Sequence, residues 1–203
     1  VEKACNQKGI ETVTFFKKDI QNLEDIDGIV AIGKYSKKEI SSLRKISSNI
    51  IFVDYSPNDN LYDSVVIDFE KSVKEILDFF INNGHKKIGY IGGQEYIGKD
   101  RIKLKDPREK IFKRYLKQKG LYNSKLIKTD SFSVKSGYKL TKDLLEKEKL
   151  SALFVASDSM AVGAMRAIKE KSLNIPKDIS IIGFDDIPTA EYLTPTLSTV
   201  CVY

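Results

Sequence analysis

The chain of 203 residues contains one histidine, two cysteines and no tryptophan. That scarcity leaves no His/Cys cluster from which a zinc or other transition-metal site is built, and no metal is expected. A hydrolytic triad needs a nucleophile beside a base. His85, the one imidazole, precedes a strand-like run instead of ending one, so no catalytic residue and no enzymatic activity are expected. "GYIGG" (89–93) lacks both the glycine spacing and the directly following helix of a dinucleotide site, so no cofactor is expected. No apolar run approaches the length of a membrane span, which excludes a membrane partner. Cys5 and Cys201 lie near the two ends and read as reduced thiols of a cytoplasmic protein. The opening "VEKACNQKGIE" carries no secretory leader and reads as a helix already under way. Low-complexity stretches and repeats of solenoid period are also lacking.

What is there is ordinary in amount and ordered in pattern. Apolar residues make up 41% and charged residues 31%, a globular mixture. The net charge of +6 comes from lysines mixed with acids along helical patterns, which describes a solvated surface better than a nucleic-acid face. Short β-branched runs alternate with amphipathic segments. The strand candidates are "DGIVAIG" (27–33), "NIIFVDY" (49–55), "SVVID" (64–68), "KKIGYIGG" (86–93), "KLIKTDSF" (125–132), "ALFVAS" (152–157) and "DISIIGFDD" (178–186), with a further extended piece in "TPTLSTVCVY" (194–203). Between them, 36–48, 69–83, 107–119, 133–148 and 158–173 carry helical stripes. Asp106, Pro107 and Glu109 have the spacing of a capping box at a helix start. The polar stretch after residue 93 reads as a loop. Its Lys99, Arg101, Lys103 and Lys105 are either a solvated surface or a place to meet an anion.

Strand–helix alternation with near-continuous apolar strands predicts an α/β protein with parallel sheets and helices on both faces. In such sheets small ligands bind at the carboxyl ends of the strands. Those tips carry Lys34, Asp54, Tyr55, Asp68, Gln94, Phe132, Ser157, Asp158, Asp185 and Asp186. Carboxylates accept from hydroxyls and an aromatic ring stacks on the apolar face of a sugar, so the set suits a small hydroxyl-rich ligand. Adjacent aspartates on a strand point to opposite faces, so Asp185 and Asp186 are not expected to flank one bond as a glycosidase pair does. Asp186 is assigned to the turn and Asp158 to the cap of the following helix.

The strings "ALFVASDSMAVGAMRAI", "IPKDISIIGFDDI" and "LTPTLSTV", with "DGIVAIG", "VVIDFEKSVKEILDFFINNGHKKIGYIGG" and "REKIFKRYLKQKGL" upstream in the same order, resemble the LacI/GalR family of transcriptional regulators. The resemblance implies the effector-binding and dimerising core: two Rossmann-like lobes, periplasmic-binding-protein-like, without the DNA-binding region. By it, residues 1–67 and a returning segment 194–203 form the N-terminal lobe, and 68–193 form the C-terminal lobe. Arg108 matches the arginine that reaches the effector, Asp185 the cleft aspartate and Phe132 a stacking ring. Ser157 stands where the family often has asparagine, and Asp54, Tyr55 and Asp68 fall at first-lobe and crossover positions. The partners so implied are a small-molecule effector, expected to be a sugar (a galactoside is one lead), a second copy of the chain, and operator DNA through a region outside this chain. A periplasmic-type sugar-binding protein shares the fold and is the alternative.

Overall fold

The computed structural model describes residues 1–17 and 25–202. The chain divides into two compact units, Val1–Val66 and Ile67–Tyr203.

In the first unit, β1 (Ile29–Ile32), β2 (Ile50–Val53) and β3 (Asp63–Val65) form a parallel sheet in that order. A short helix, α1 (Glu2–Asn6), buries none of its residues. Helix α2 (Lys37–Ile46) starts at Ser36, whose hydroxyl accepts from the Glu39 amide while the Glu39 carboxylate accepts from the Ser36 amide. This reciprocal cap is encoded in "SKKE". Leu43 of α2 packs with Ala31, Ile50 and Phe52, the alternate residues of β1 and β2. Val30, Ile32 and Val65 are exposed. Sequence patterning predicts burial on both faces of these strands; among the described residues, one helix covers one face.

In the second unit the two central strands, Ile88–Gly93 and Ala152–Val155, meet that expectation. Four parallel strands run in the order β7-β4-β8-β9: β4 (Ile88–Gly93), β7 (Ile127–Asp130), β8 (Ala152–Val155) and β9 (Ser180–Ile182). Side chains alternate across the sheet. Ile88, Tyr90, Ala152, Phe154 and Ala156 face α3 (Phe69–Asn82) and α4 (Pro107–Gln118). Ile91, Leu153 and Val155 face α5 (Val134–Lys147) and α6 (Asp158–Glu170). Period-two alternation with apolar residues at every position is what a strand buried on both sides requires. Between β4 and α4, where a loop is predicted, lies an antiparallel ribbon of β5 (Glu95–Ile97) and β6 (Ile102–Leu104). Gly98 at φ 68° lets the chain reverse there.

In the final segment Ser198 bridges Ile182, Cys201 bridges Asp185, and Val200 and Val202 pack on the second unit's core. The backbone of 183–185 is an open edge beside β9. Gly183 and Asp185 donate to the carbonyls of Ser198 and Val200, so the segment lies where those donors are satisfied. Tyr203 lies outside the described residues.

Candidate functional site

The four strands of the second unit are parallel, so their carboxyl ends share one edge. The amino ends of α3 and α4 meet that edge, because Phe69 of α3 stacks on Phe184 after β9 and Arg108 of α4 bonds the end of β8. Four pieces of chain far apart in sequence are thus brought around one side chain.

That side chain is Arg108. It follows Pro107 in the first turn of α4, where the helix dipole disfavours a cation, and it is only 9% exposed. Asp106 offsets both costs. Its Oδ1 caps the helix by accepting from the Arg108 amide at 2.8 Å. The same carboxylate accepts from Nε at 3.0 and 3.2 Å and from Nη2 at 2.9 Å. Nη1 donates to the Ala156 carbonyl at 2.6 Å. Burial works against the charge of Arg108, but the hydrogen bonds and charge of Asp106, together with the charge of Asp185, outweigh it and raise the pKa. The capping-box reading is corrected in part: Asp106 caps the helix, but Glu109 turns to Lys113 one turn on.

Three phenylalanine rings enclose the guanidinium, with centroids 5.2, 5.2 and 5.3 Å from its central carbon: Phe69, Phe132 and Phe184. This is cation–π range for each. Phe132 reaches it because Gly93, at the tip of β4, leaves the volume its ring needs; a Cβ there would overlap the ring. Asp185 sits beyond β9 at φ 115° and Asp186 follows at φ 57°. Both backbones lie in the left-handed region, sparsely used by residues with a Cβ and costing roughly 1–3 kcal/mol each. The strand-alternation argument applied to this pair in the sequence does not hold, because β9 ends at Ile182. The two aspartates form a turn whose amides bond the final segment, Asp185 to the Val200 carbonyl and Asp186 to the Thr199 hydroxyl.

The other sequence candidates are placed as follows. Asp68 is exposed and caps α3 by accepting from the Lys71 amide at 2.9 Å, next to Phe69. Ser157 is buried and is itself the cap of α6, accepting from the Met160 amide at 3.4 Å. This corrects the assignment of that cap to Asp158, which is the first helical residue. The structure thus gathers Arg108, Phe132 and Asp185, with Asp68 beside Phe69. Asp54, exposed at φ 65° and paired with Lys34 at 3.4 Å, and Tyr55, edge-on to Phe52, belong to the first unit. Phe69, Phe184 and the second role of Asp106 are site features that sequence patterning does not flag. The described residues contain no group of three or more His, Cys, Asp or Glu placed to hold a metal ion.

Asp158, freed from capping, ties the turn to the final segment. Fully buried, it accepts from the Thr199 hydroxyl at 2.7 Å and the Ile187 amide at 3.1 Å. Gly183 allows the approach, since a Cβ there would strike Oδ1. Replacing Asp158 by Leu strands both donors and is expected to cost about 2–4 kcal/mol in urea unfolding. Burial, opposed by these hydrogen bonds, raises the pKa of the carboxyl. A raised native-state pKa means the penalty for ionising is present above that pKa and relieved below it. The stability of the wild type relative to Asp158→Asn is therefore expected to grow as pH falls from neutral toward the ordinary aspartate range.

A parallel sheet covered on both faces, with polar and aromatic groups gathered at its strand tips, defines the ligand-binding class of α/β proteins. Comparison with known proteins narrows the class. The model of the periplasmic binding protein-like domain matches residues 77–202. A GalR transcriptional regulator of Streptococcus thermophilus is 34% identical over the whole chain, which spans 62% of that protein. The MelR transcriptional repressor of Bacillus subtilis is 33% identical over 88% of the chain and 53% of its own length. Among solved structures, a sugar-binding transcriptional regulator of the LacI family from Escherichia coli, complexed with phosphate, superposes with a TM-score of 0.72 at 32% identity, over 86% of this chain and 63% of that one. The chain belongs to the periplasmic binding protein-like domain family, and the relatives it is similar to are transcriptional regulators, the LacI family among them. It spans a little over half the length of these relatives.

Proposed function

We propose that this chain is the effector-binding core of a sugar-responsive transcriptional repressor, with Arg108, Phe132 and Asp185 as the ligand contacts of the second lobe. The observation that carries the reading is Arg108 itself. A buried guanidinium, whose terminal nitrogens carry four N–H donors, is held at the strand tips by Asp106 and three rings. Those donors, the acceptor oxygens of Asp185 and the face of Phe132 match a saccharide's hydroxyls and its apolar ring face. Asp68 and Ser157 complete this half. Asp54 and Tyr55 supply contacts from the first lobe, and the division falls at residues 67–68, with the chain beyond 193 acting as a connection between lobes.

In this reading the effector lies in the interlobe cleft and sets the hinge angle. Two copies of the chain transmit that angle to operator-binding regions outside this chain. A ligand shifts such an equilibrium only by its differential affinity for the two states, typically about 1–3 kcal/mol of coupling. The names of the matched relatives, GalR and MelR regulators, favour a regulator over a transport protein, and within sugars a galactoside is the first to test.

The test is a melting-temperature screen with D-galactose, lactose, melibiose and cellobiose, since a ligand bound only by the native state raises the midpoint. Calorimetric titration of the responding sugar follows. Arg108→Ala and Asp185→Ala are each expected to weaken binding about 100-fold, the loss of a charge-assisted hydrogen bond in a dry site. Wild-type affinity in both variants would overturn the site.

A further inference from the structure

The turn after β9 places two residues that carry side chains at angles favouring glycine, Asp185 at φ 115° and Asp186 at φ 57°. A backbone of that kind persists only where its surroundings fix it from several sides. The amides of Gly183 and Asp185 donate to the carbonyls of Ser198 and Val200 at 2.9 and 3.0 Å, and the Phe184 carbonyl accepts from the Asp158 amide at 2.8 Å. Those bonds are main chain to main chain, open to almost any residue types. Two further anchors depend on side chains. The Asp186 amide donates to the Thr199 hydroxyl at 3.4 Å, and the Ile187 amide donates to the Asp158 carboxylate at 3.1 Å.

Thr199 joins these two anchors. Its Oγ1 accepts from the Asp186 amide and donates to Oδ1 of Asp158 at 2.7 Å. One hydroxyl thus acts as acceptor and donor at once, between a fully buried carboxylate at the start of α6 and the strained turn. Valine has the same branched outline and would suit a half-buried, extended position equally well, but it makes neither contact. Local conformation therefore does not call for the hydroxyl; the turn does. That turn is continuous with the site, because the ring of Phe184, the residue before it, lies 5.3 Å from the guanidinium carbon of Arg108. A shift of the turn moves the Asp185 carboxylate relative to that ring and that charge.

We infer that Thr199 is a positioning residue of the saccharide site: through the Asp186 amide and the Asp158 carboxylate, its hydroxyl holds the turn that aims Asp185. This rests on the function proposed above, in which Asp185 is a ligand contact. Thr199 acts through that contact and not on the ligand. It also belongs to the chain beyond 193, the connection between lobes in the same reading. One hydroxyl group thereby ties an effector contact to the segment that must respond when the hinge angle changes.

Calorimetric titration of Thr199→Val and Thr199→Ser in the full chain, with the sugar that raises the wild-type melting point as probe, tests the role. The valine variant is expected to bind about tenfold more weakly, and the serine variant, which keeps the hydroxyl, within about twofold of the wild type. In an Asp185→Ala background the valine change is expected to alter affinity by less than about twofold, because the group being aimed is gone. A threonine that served stability alone would lower the melting point, by roughly 3–6 °C, and leave affinity unmoved. If Thr199→Val does not fold by itself, it is made in Asp186→Gly, since glycine takes φ 57° without strain, and the loss relative to Asp186→Gly is expected to persist. Unchanged affinity in the valine variant, a loss of equal size with and without Asp185, or a serine variant as weak as the valine one overturns the inference. If no sugar of the panel shifts the wild type, the sugar reading fails, and the role of Thr199 with it. A wild type that responds while Thr199→Val binds equally well defeats the positioning role alone.

Discussion

Gly163→Ala is expected to lower the stability of the second unit by about 3 kcal/mol or more and its melting point by roughly 10 °C. Intrinsic propensity predicts the opposite sign, since alanine is worth about 0.5–1 kcal/mol more than glycine inside a helix. The reversal comes from how α5 and α6 cross. A Cβ on Gly163 would meet the Val134 carbonyl oxygen and the Tyr138 amide nitrogen closer than 3.0 Å, and one on Gly137 would meet the Met160 carbonyl in the same way. These are backbone atoms on both sides, so no rotamer change relieves the overlap and the helices must separate. Separation disturbs a layer in which Leu144, Met160, Ala161, Ala164 and Ile168 are buried against β8. Gly137→Ala is expected to behave alike. The double variant should cost less than the sum, because one separation serves both residues. Urea unfolding of the three variants checks the sign and the coupling. A gain in stability for either single change would mean that the two helices do not approach as closely as described.

The second unit was more legible in sequence than the site it carries. Alternation in "KKIGYIGG" and "ALFVAS" is long enough, and apolar enough on both parities, to announce a doubly covered strand. Asp106–Pro107 announces a helix start by local chemistry alone. The ribbon 95–104 escaped because each of its strands is three residues long and its turn holds Gly98 among charged neighbours, a pattern shared with any solvated loop. The first sheet escaped differently. Val30 and Ile32 read as buried because nothing in a strand's own sequence says how many helices will cover it. Phe69 and Phe184 were invisible as site residues for a physical reason. Both also serve the hydrophobic cluster against β8, and periodicity cannot distinguish a ring that packs on leucine from one that packs on leucine and a guanidinium. Arg108 was legible by resemblance, and mildly by the awkwardness of a cation in a helix's first turn. What resolves that awkwardness, the doubled duty of Asp106, needs coordinates, because a cap and an ion-pair partner look the same in sequence.

That doubled duty sets the other large effect. Asp106→Ala removes an N-cap, worth about 1 kcal/mol. It also leaves a guanidinium 9% exposed without its counter-ion, for which losses of about 3–5 kcal/mol are typical. A melting point lower by roughly 10 °C or more is expected. Asp106→Asn, which keeps a capping oxygen and gives up the charge, should fall between that variant and the wild type. The decisive comparison adds a second change. If the damage comes from the stranded charge and not from the lost cap, then Arg108→Leu in the Asp106→Ala background removes the charge and places an apolar side chain among Phe69, Phe132 and Phe184, where it is at home. The double variant is then expected to melt higher than Asp106→Ala alone while binding no sugar. Separation of stability from binding in one variant would mark the Asp106–Arg108 pair as a feature kept for recognition, at the expense of a core that three phenylalanines could have closed without it. A double variant no more stable than the single one would place the cost in the cap and the helix start, and would leave the ion pair as structure.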